Sequence, residues 1–567
     1  MSEWGAHWFR VIYNEALNIV GSNRIAGEVL HLEKAKSAGM GKRRGIQDLS
    51  RSAGRVVAAA GLAVSLAAIT GCGSTYRPVV SAIGVVGPAA QPTKYAIAIS
   101  SASSASNGLM TMVDFSGDTV MVTATLGVNP YYLALNSGGT RGYTLNSDKT
   151  LTSFAISTSL ISSQVQESTL PTGSNPVSIF EASSTYVTDT GDNAIDQMIG
   201  TPPALQQELS VGAGFTPVYV VGQASASRYY AISQSTNAGL PGQVSAIESM
   251  NNTISTTLPV GVKPVYGVMT IDGRRAFILN QTDGTVSVVN AQTNALDQFP
   301  DSLNTFKITG FSIANNVATF TAANTLKAGM NVLIQGLSTG TYLNGQTLTV
   351  LSSSSTQFTA AFTNANVAST VDAGTAAELT STIPVGSKPV WADLAPAVNE
   401  LVVANEGDGT NPGSVSFVNI PLCTSTTLVS NSNCDSNNPI DATSFGQVIK
   451  TIPVGVNPIM VSVLSDDTRA YVANAGNPNL PCAATASATT TTCTISVVNL
   501  TTNTVTATIP INGHPAYIAT SNATPTGKVY VVCKDSQVMT VIETDTDSID
   551  TTIPLQGYGV SVRMTAQ

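Results

Sequence analysis

The chain has 567 residues, enough for several domains or one large repeat array, and 25 Lys and Arg against 34 Asp and Glu leave it at −9. That balance argues against nucleic acid, whose phosphates are met by clustered Lys and Arg. From Cys72 onward the bias is stronger, with 16 basic against 29 acidic residues and His514 as the one histidine.

The first 71 residues carry a different balance, 9 basic to 5 acidic. Lys42, Arg43, Arg44, Arg51 and Arg55 precede an apolar run from Val56 to Thr70. The run is too short to span a bilayer comfortably and has the charge-then-apolar order of a secretory signal. It ends Ile69-Thr70-Gly71-Cys72, which resembles the bacterial lipobox, so Cys72 is the expected lipidated residue; the alternative is a plain signal cut nearby. Met40 starts that signal by itself, so residues 1–39 read as a gene-model extension, 40–71 as the signal and 72–91 as a linker. Export to the cell envelope follows, with the membrane contacted through the lipid. Gly73, where inner-membrane lipoproteins commonly carry Asp, points to the outer membrane if the host has one.

One phrase then recurs: ATLGVNP at 124–130, STLPTGSNP at 168–176, SVGAGFTP at 210–217, TTLPVGVKP at 256–264, STIPVGSKP at 381–389, TIPVGVNP at 451–458 and TIPINGHP at 508–515. Its glycines are residues 127, 173, 214, 261, 386, 455 and 513. Glycine allows a sharp turn, and the proline that follows fixes φ and cannot donate to a sheet ladder. The phrase thus marks the crossing from the outer strand of one unit to the inner strand of the next. Between phrases lie short β-branched and aromatic runs bounded by turn formers, four per unit. The second strand repeats as AFILN, LVVAN, YVAN and VYVVC, the third as VSVVN, VSFVN, ISVVN and MTVIE.

Four-stranded sheets repeated in this way are the signature of an all-β propeller. The repeats resemble the YVTN family of surface-layer and secreted β-propellers, with YVAN at 471–474 and VVAN at 402–405 standing where YVTN would. The resemblance implies a propeller, usually seven-bladed; it does not imply an enzyme. Counting predicts eight blades: seven full units, and an eighth from three N-terminal strands (KYAIAIS, GLMTMVDF, DTVMVTATL) and one C-terminal strand (GYGVSVRMT), with seven blades as the alternative.

The step from Gly261 to Gly386 is 125 residues, far above its neighbours. It predicts an inserted β-sandwich-like or barrel module over 298–379, between the third and fourth strands of its unit. The propeller halves are then 92–297 and 380–567. The next two units are lengthened by loops bracketed by Cys423 and Cys434 and by Cys482 and Cys493, read as two disulfides in an oxidising compartment. A metal site on these cysteines is disfavoured, because no histidine or further cysteine stands near them in sequence. Cys533 reads as a buried apolar residue.

No catalytic set assembles. A Ser-His-Asp triad would have to use His514, and haem or multi-histidine copper sites are excluded by count and by the lack of CxxCH. The acidic groups Asp189, Asp192 and Asp196, Asp466 and Asp467, and Glu543, Asp545, Asp547 and Asp550 fit no calcium loop and read as solvated turn residues. No metal, cofactor or catalytic residue is expected. The residues before each phrase proline, Asn129, Asn175, Thr216, Lys263, Lys388, Asn457 and His514, should ring one mouth of the channel, with Lys263 and Lys388 on consecutive blades as an anion site. The reading is a lipid-anchored envelope propeller that binds or scaffolds an envelope protein or glycan. The alternatives are a lactonase-like hydrolase and a structural surface coat.

Overall fold

The computed structural model describes residues 94–421, 445–483, 485–521 and 527–565. Cys72, Cys423 and Cys434, with the extension, signal and linker, lie outside the described residues. Among the described residues no helix is long and apolar enough to cross a membrane.

Eight four-stranded antiparallel sheets form the propeller. Blade 1 holds Pro130–Leu135, Arg141–Asn146, Thr150–Ala155 and Val165–Thr169. Blade 2 holds Pro176–Glu181, Thr185–Asp189, Ala194–Ile199 and Ala204–Ser210, and blade 3 Phe215–Val221, Arg228–Ser235, Pro241–Glu248 and Thr253–Val262. Blade 4 begins Pro264–Met269, Arg275–Asn280 and Thr285–Asn290. Blade 5 holds Pro389–Ala395, Glu400–Asn405, Pro412–Asn419 and Val448–Val456, and blade 6 Pro458–Val463, Arg469–Asn474, Thr494–Asn499 and Thr504–Pro510. Blade 7 holds Pro515–Thr520, Lys528–Cys533, Val538–Glu543 and Ser548–Pro554. Blade 8 joins both ends of the array: Tyr558–Met564 pairs with Tyr95–Ser101, followed by Asn107–Asp114 and Thr119–Val128. The first strand of each blade touches that of the next, and the eighth touches the first, so the ring is closed.

The apolar core is divided into wedges. Each pair of neighbouring blades encloses its own buried cluster, such as Val461, Val472 and Phe417 between blades 5 and 6, or Val532, Val541 and Val562 between 7 and 8. Closure gains a polar tie as well: the Lys528 ammonium of blade 7 pairs with Asp118 of blade 8 and donates to the Phe115 carbonyl at 3.0 Å.

The repeated Asn at the end of the second strand has a structural task. Asn146, Asn280, Asn405 and Asn474 are fully buried. Each donates from Nδ2 to two hydroxyls of the third strand: Thr150 and Thr152 at 2.9 and 2.8 Å, Thr285 and Ser287 at 3.0 Å each, Ser414 and Ser416 at 3.2 and 3.0 Å, Thr494 and Ser496 at 3.1 and 2.9 Å. The phrase glycine lies against this amide. A Cβ at Gly455 would fall 2.7 Å from Asn474, so in these four blades glycine supplies room, and the turn is made two residues later. There the residue before proline is left-handed: Asn129, Lys263, Lys388 and Asn457 have φ of 45°, 55°, 53° and 54°. In the other three phrases the glycine itself turns, with φ of 101° at Gly173, 84° at Gly214 and 116° at Gly513.

The insertion takes the barrel form of the two expected: it is a closed six-stranded barrel from Phe299–Ala314 to Val367–Thr380, filled by Ile308, Phe320, Phe358 and their neighbours. Its point of entry differs from expectation, because it splits the fourth strand of blade 4, where the sequence placed it before that strand. Ala295–Leu296 pairs with Val289 and Asn290, and Thr382–Pro384 continues along Ser287 to Thr285. Both halves of the edge strand keep their ladder, which explains how the barrel enters without breaking the blade.

The acidic groups also depart from the solvated-turn reading. Asp192, Asp466, Asp545 and Asp550 are exposed, but Asp189 and Asp196 lie inside strands at 0% and 1% exposure. Asp467 is buried and accepts the Ala397 N–H at 2.6 Å. Asp547 accepts from Arg469 and Tyr471 at 2.7 and 2.6 Å.

Candidate functional site: the central channel

Strand alternation points every second residue of the first strands into the channel. Two positions after the phrase proline stand Tyr132, Ser178, Tyr219, Tyr266, Trp391, Met460 and Tyr517. The aromatic ones meet in the middle. Tyr219 and Tyr266 lie 4.9 Å apart, Tyr266 stacks on Trp391 at 3.9 Å and 18°, and Trp391 meets Tyr517 edge-on at 5.9 Å. The channel is thus plugged at this level.

Two residues further along, most blades place Ala, Val, Phe or Ser. Blades 5 and 8 place Asp393 and Arg563. The Arg563 guanidinium stacks on the Tyr517 ring at 4.3 Å and its Nε donates to the Leu133 carbonyl at 3.3 Å. It forms no ion pair among the described residues, although arginine is always charged. It is the shared wall of two cavities. One, of about 100 Å³, is also lined by Asp393, Trp391, Tyr266 and Ser462. The other, of about 300 Å³, is lined by Tyr132, Phe180, Glu181, Tyr219 and Gln223.

Both carboxyls here are held toward their neutral form. Burial pushes Asp393 up to about 6, opposed by N–H donation from Val463 at 2.8 Å and Leu394 at 2.9 Å. Burial pushes Glu181 up to about 7, against the lowering influence of Thr185, Tyr143 and Arg141. Its Oε1 has no hydrogen-bond partner among the described residues. A permanent cation thus shares its cavity with an acid half-protonated near neutrality.

This site opens at the ends of the first strands, whereas the ring expected from sequence stands at their starts. In that ring, Asn175 donates to Thr190 at 2.5 Å, Thr216 to Asn193 at 2.9 Å and Asn457 to the Gly476 carbonyl at 3.2 Å, all local turn partners. Asn129 is partly buried in its left-handed turn. Lys263 and Lys388 are exposed on neighbouring blades. His514 is buried and hydrogen-bonded through Nδ1 to Asp535 at 2.7 Å.

Cys482 and Cys493 form a disulfide with Cα atoms 5.5 Å apart. Cys533 is a free, buried thiol whose pKa burial pushes up to about 12. The expectation that no histidine stands near the cysteines holds in sequence but fails in space, since His514 adjoins the bridge. Arg563, Asp393 and Glu181 were missed because each looks ordinary alone. Aligning the first strands would have found Arg563 and Asp393, the two charges at an otherwise uncharged inward position.

No protein-family model matches the chain, and no curated protein matches it. Solved structures similar to it include hydrazine synthase of Kuenenia stuttgartiensis, at 12% identity and TM-score 0.40 over 69% of this chain and 90% of that one. Dihydro-heme d1 dehydrogenase NirN is similar at 9% identity and TM-score 0.49 over 86% and 78%. A Bacteroides fragilis protein provisionally assigned as a 6-phosphogluconolactonase is similar at 10% identity and TM-score 0.40 over 84% and 99%. At such identities and scores the likenesses carry no argument about activity.

Proposed function

We propose that this chain is a YVTN-type propeller, anchored to the cell envelope through a lipid on Cys72, that binds an anionic ligand in its channel at Arg563. The observation that carries the binding reading is the Arg563 guanidinium, set between two cavities and in no ion pair with a carboxylate among the described residues. A charge withdrawn from water is costly unless paired, and a carboxylate or phosphate entering the larger cavity supplies that pairing in bidentate form. Tyr132, Tyr219 and Gln223 add a polar wall around it. The test is calorimetric titration of the protein and of Arg563→Gln with inorganic phosphate, acetate and galacturonate. Binding of one of these by the native chain, reduced at least tenfold in the variant, is expected; equal binding would refute the site. Fatty-acid labelling that survives Cys72→Ala would refute the anchor.

A second, hydrolytic reading draws on Glu181, whose pKa of about 7 suits a general acid or base. Lactone hydrolysis that is abolished in Glu181→Gln would favour it over simple binding.

A further inference from the structure

The loop joining the second and third strands of blade 6 carries Cys482 and Cys493, and the phrase opening blade 7 sets His514 against it. The two sulfurs and a ring nitrogen of His514 all lie within 4.8 Å of one another. Cys493 and His514 are 2% and 5% exposed. Asp535 grips the histidine twice, accepting its backbone N–H at 2.6 Å and standing 2.7 Å from Nδ1. Nε2 faces the loop, 3.1 Å from the Leu480 carbonyl. Holding that loop needs only one donor. Asn at the same position in three sibling phrases shows that the turn accepts a smaller one. The imidazole adds a nitrogen ligand beside two sulfurs, with a carboxylate hydrogen-bonded to its other nitrogen, the arrangement that orients metal-bound histidines.

We propose that Cys482, Cys493 and His514 form a reduction-gated site for a thiophilic d10 cation, Zn²⁺ first. A dithiol reductant delivers two electrons and two protons, closing to its own cyclic disulfide and leaving two thiols. Cation binding then displaces both thiol protons, and His514 exchanges its contact with the Leu480 carbonyl for the metal. Zinc takes Zn–S bonds of about 2.3 Å and Zn–N of about 2.0–2.1 Å, which places its ligand atoms roughly 3–4 Å apart. The present spacing is within a small side-chain movement of that. Three protein ligands leave the fourth position to water.

The probe is Co²⁺, with Zn²⁺ displacing it, added to the full chain carrying Cys72→Ser, Cys423→Ser and Cys434→Ser, which leaves the buried Cys533 as the one other thiol. The reduced chain should bind one Co²⁺ with thiolate charge-transfer absorption, and the oxidised chain none. His514→Asn, a residue the turn already accommodates elsewhere, should weaken binding at least tenfold, and Asp535→Asn by a smaller factor. Circular dichroism of each variant separates loss of the site from loss of the fold. No thiolate band in the folded, reduced chain, a band that persists in Cys482→Ser/Cys493→Ser, or unchanged affinity in folded His514→Asn would each overturn the assignment.

Discussion

Asp196 stands where sibling blades carry the hydroxyl that receives the buried amide. The register makes the equivalence: Ala194 faces Asp189, and Asp196 follows two residues on, as Thr152 follows the partner of Asn146. Blade 2 therefore sets two carboxylates where blade 1 has an amide and a hydroxyl. Asp189 satisfies one oxygen through the Asn175 and Gly191 N–H groups, both at 2.7 Å, but its Oδ2 and both oxygens of Asp196 have no partner among the described residues. Burial first, then the charges of Asp189, Glu208 and Asp192, push Asp196 up to about 7 from 3.8. The folded state thus holds the proton more tightly than the unfolded chain. Between the two pKa values the native protein binds more protons, so stability falls as pH rises through that window. Below it the group contributes nothing; above about 7 the full penalty is present.

At 1.36 kcal/mol per unit, a displacement of about 3 units sets a ceiling of about 4 kcal/mol on that penalty. Asp196→Asn removes it and offers Asp189 an amide donor, as in the sibling blades. We expect urea unfolding followed by far-UV circular dichroism to show a gain of about 2–4 kcal/mol at roughly pH 8 and little gain near pH 4. A gain that is equal at both pH values, or a loss at pH 8, would refute the reasoning.

Three further outcomes are expected. Asn474→Ala strands the Thr494 and Ser496 hydroxyls under the blade 6 phrase and should cost about 1–3 kcal/mol by chemical denaturation. The Arg275–Asp297 pair, at 0% and 5% side-chain exposure, should lose about 3–5 kcal/mol when Asp297→Leu removes the carboxylate that faces the buried guanidinium, with much of that recovered in the Arg275→Met/Asp297→Leu double variant. Excising 299–380 and joining the two halves of the blade 4 edge strand should leave a folded propeller with native-like far-UV signal, since Ala295–Leu296 and Thr382–Pro384 already share one ladder.

The architecture was legible because a propeller writes the same instruction many times. The phrase, the YVAN-like strand and the spacing between glycines place the blade boundaries to within a few residues, and the stray strands at the two ends announce the eighth blade. What the repeats hid was the reason for their own consensus. Glycine and asparagine look like turn formers, yet in four blades they form one buried contact: the amide donates to third-strand hydroxyls and the glycine leaves room for it. Periodicity shows that residues recur together but not that they touch. For the same reason the acids near residue 190 read as turn residues although two of them occupy strands, and the barrel appeared to precede a strand that it divides.

The candidate site was less legible because it lies where the repeats disagree. A position shared by all blades serves what all blades need, which is packing and turning; a chemical site needs a residue that most blades lack. Arg563 and Asp393 interrupt a ring of small, apolar or hydroxyl side chains, Asp196 interrupts an amide–hydroxyl pair, and His514 replaces Asn, Thr or Lys in the phrase. Each exception is costly or redundant if it only supports the sheet: a guanidinium without an ion pair and carboxylate oxygens without donors among the described residues, an imidazole where an amide suffices. Identical blades would make the channel symmetric, and a symmetric channel cannot fix the orientation of an asymmetric ligand. Departures in blades 2, 5, 7 and 8 break that symmetry, so the search for chemistry in this chain belongs at the residues the repeat does not predict.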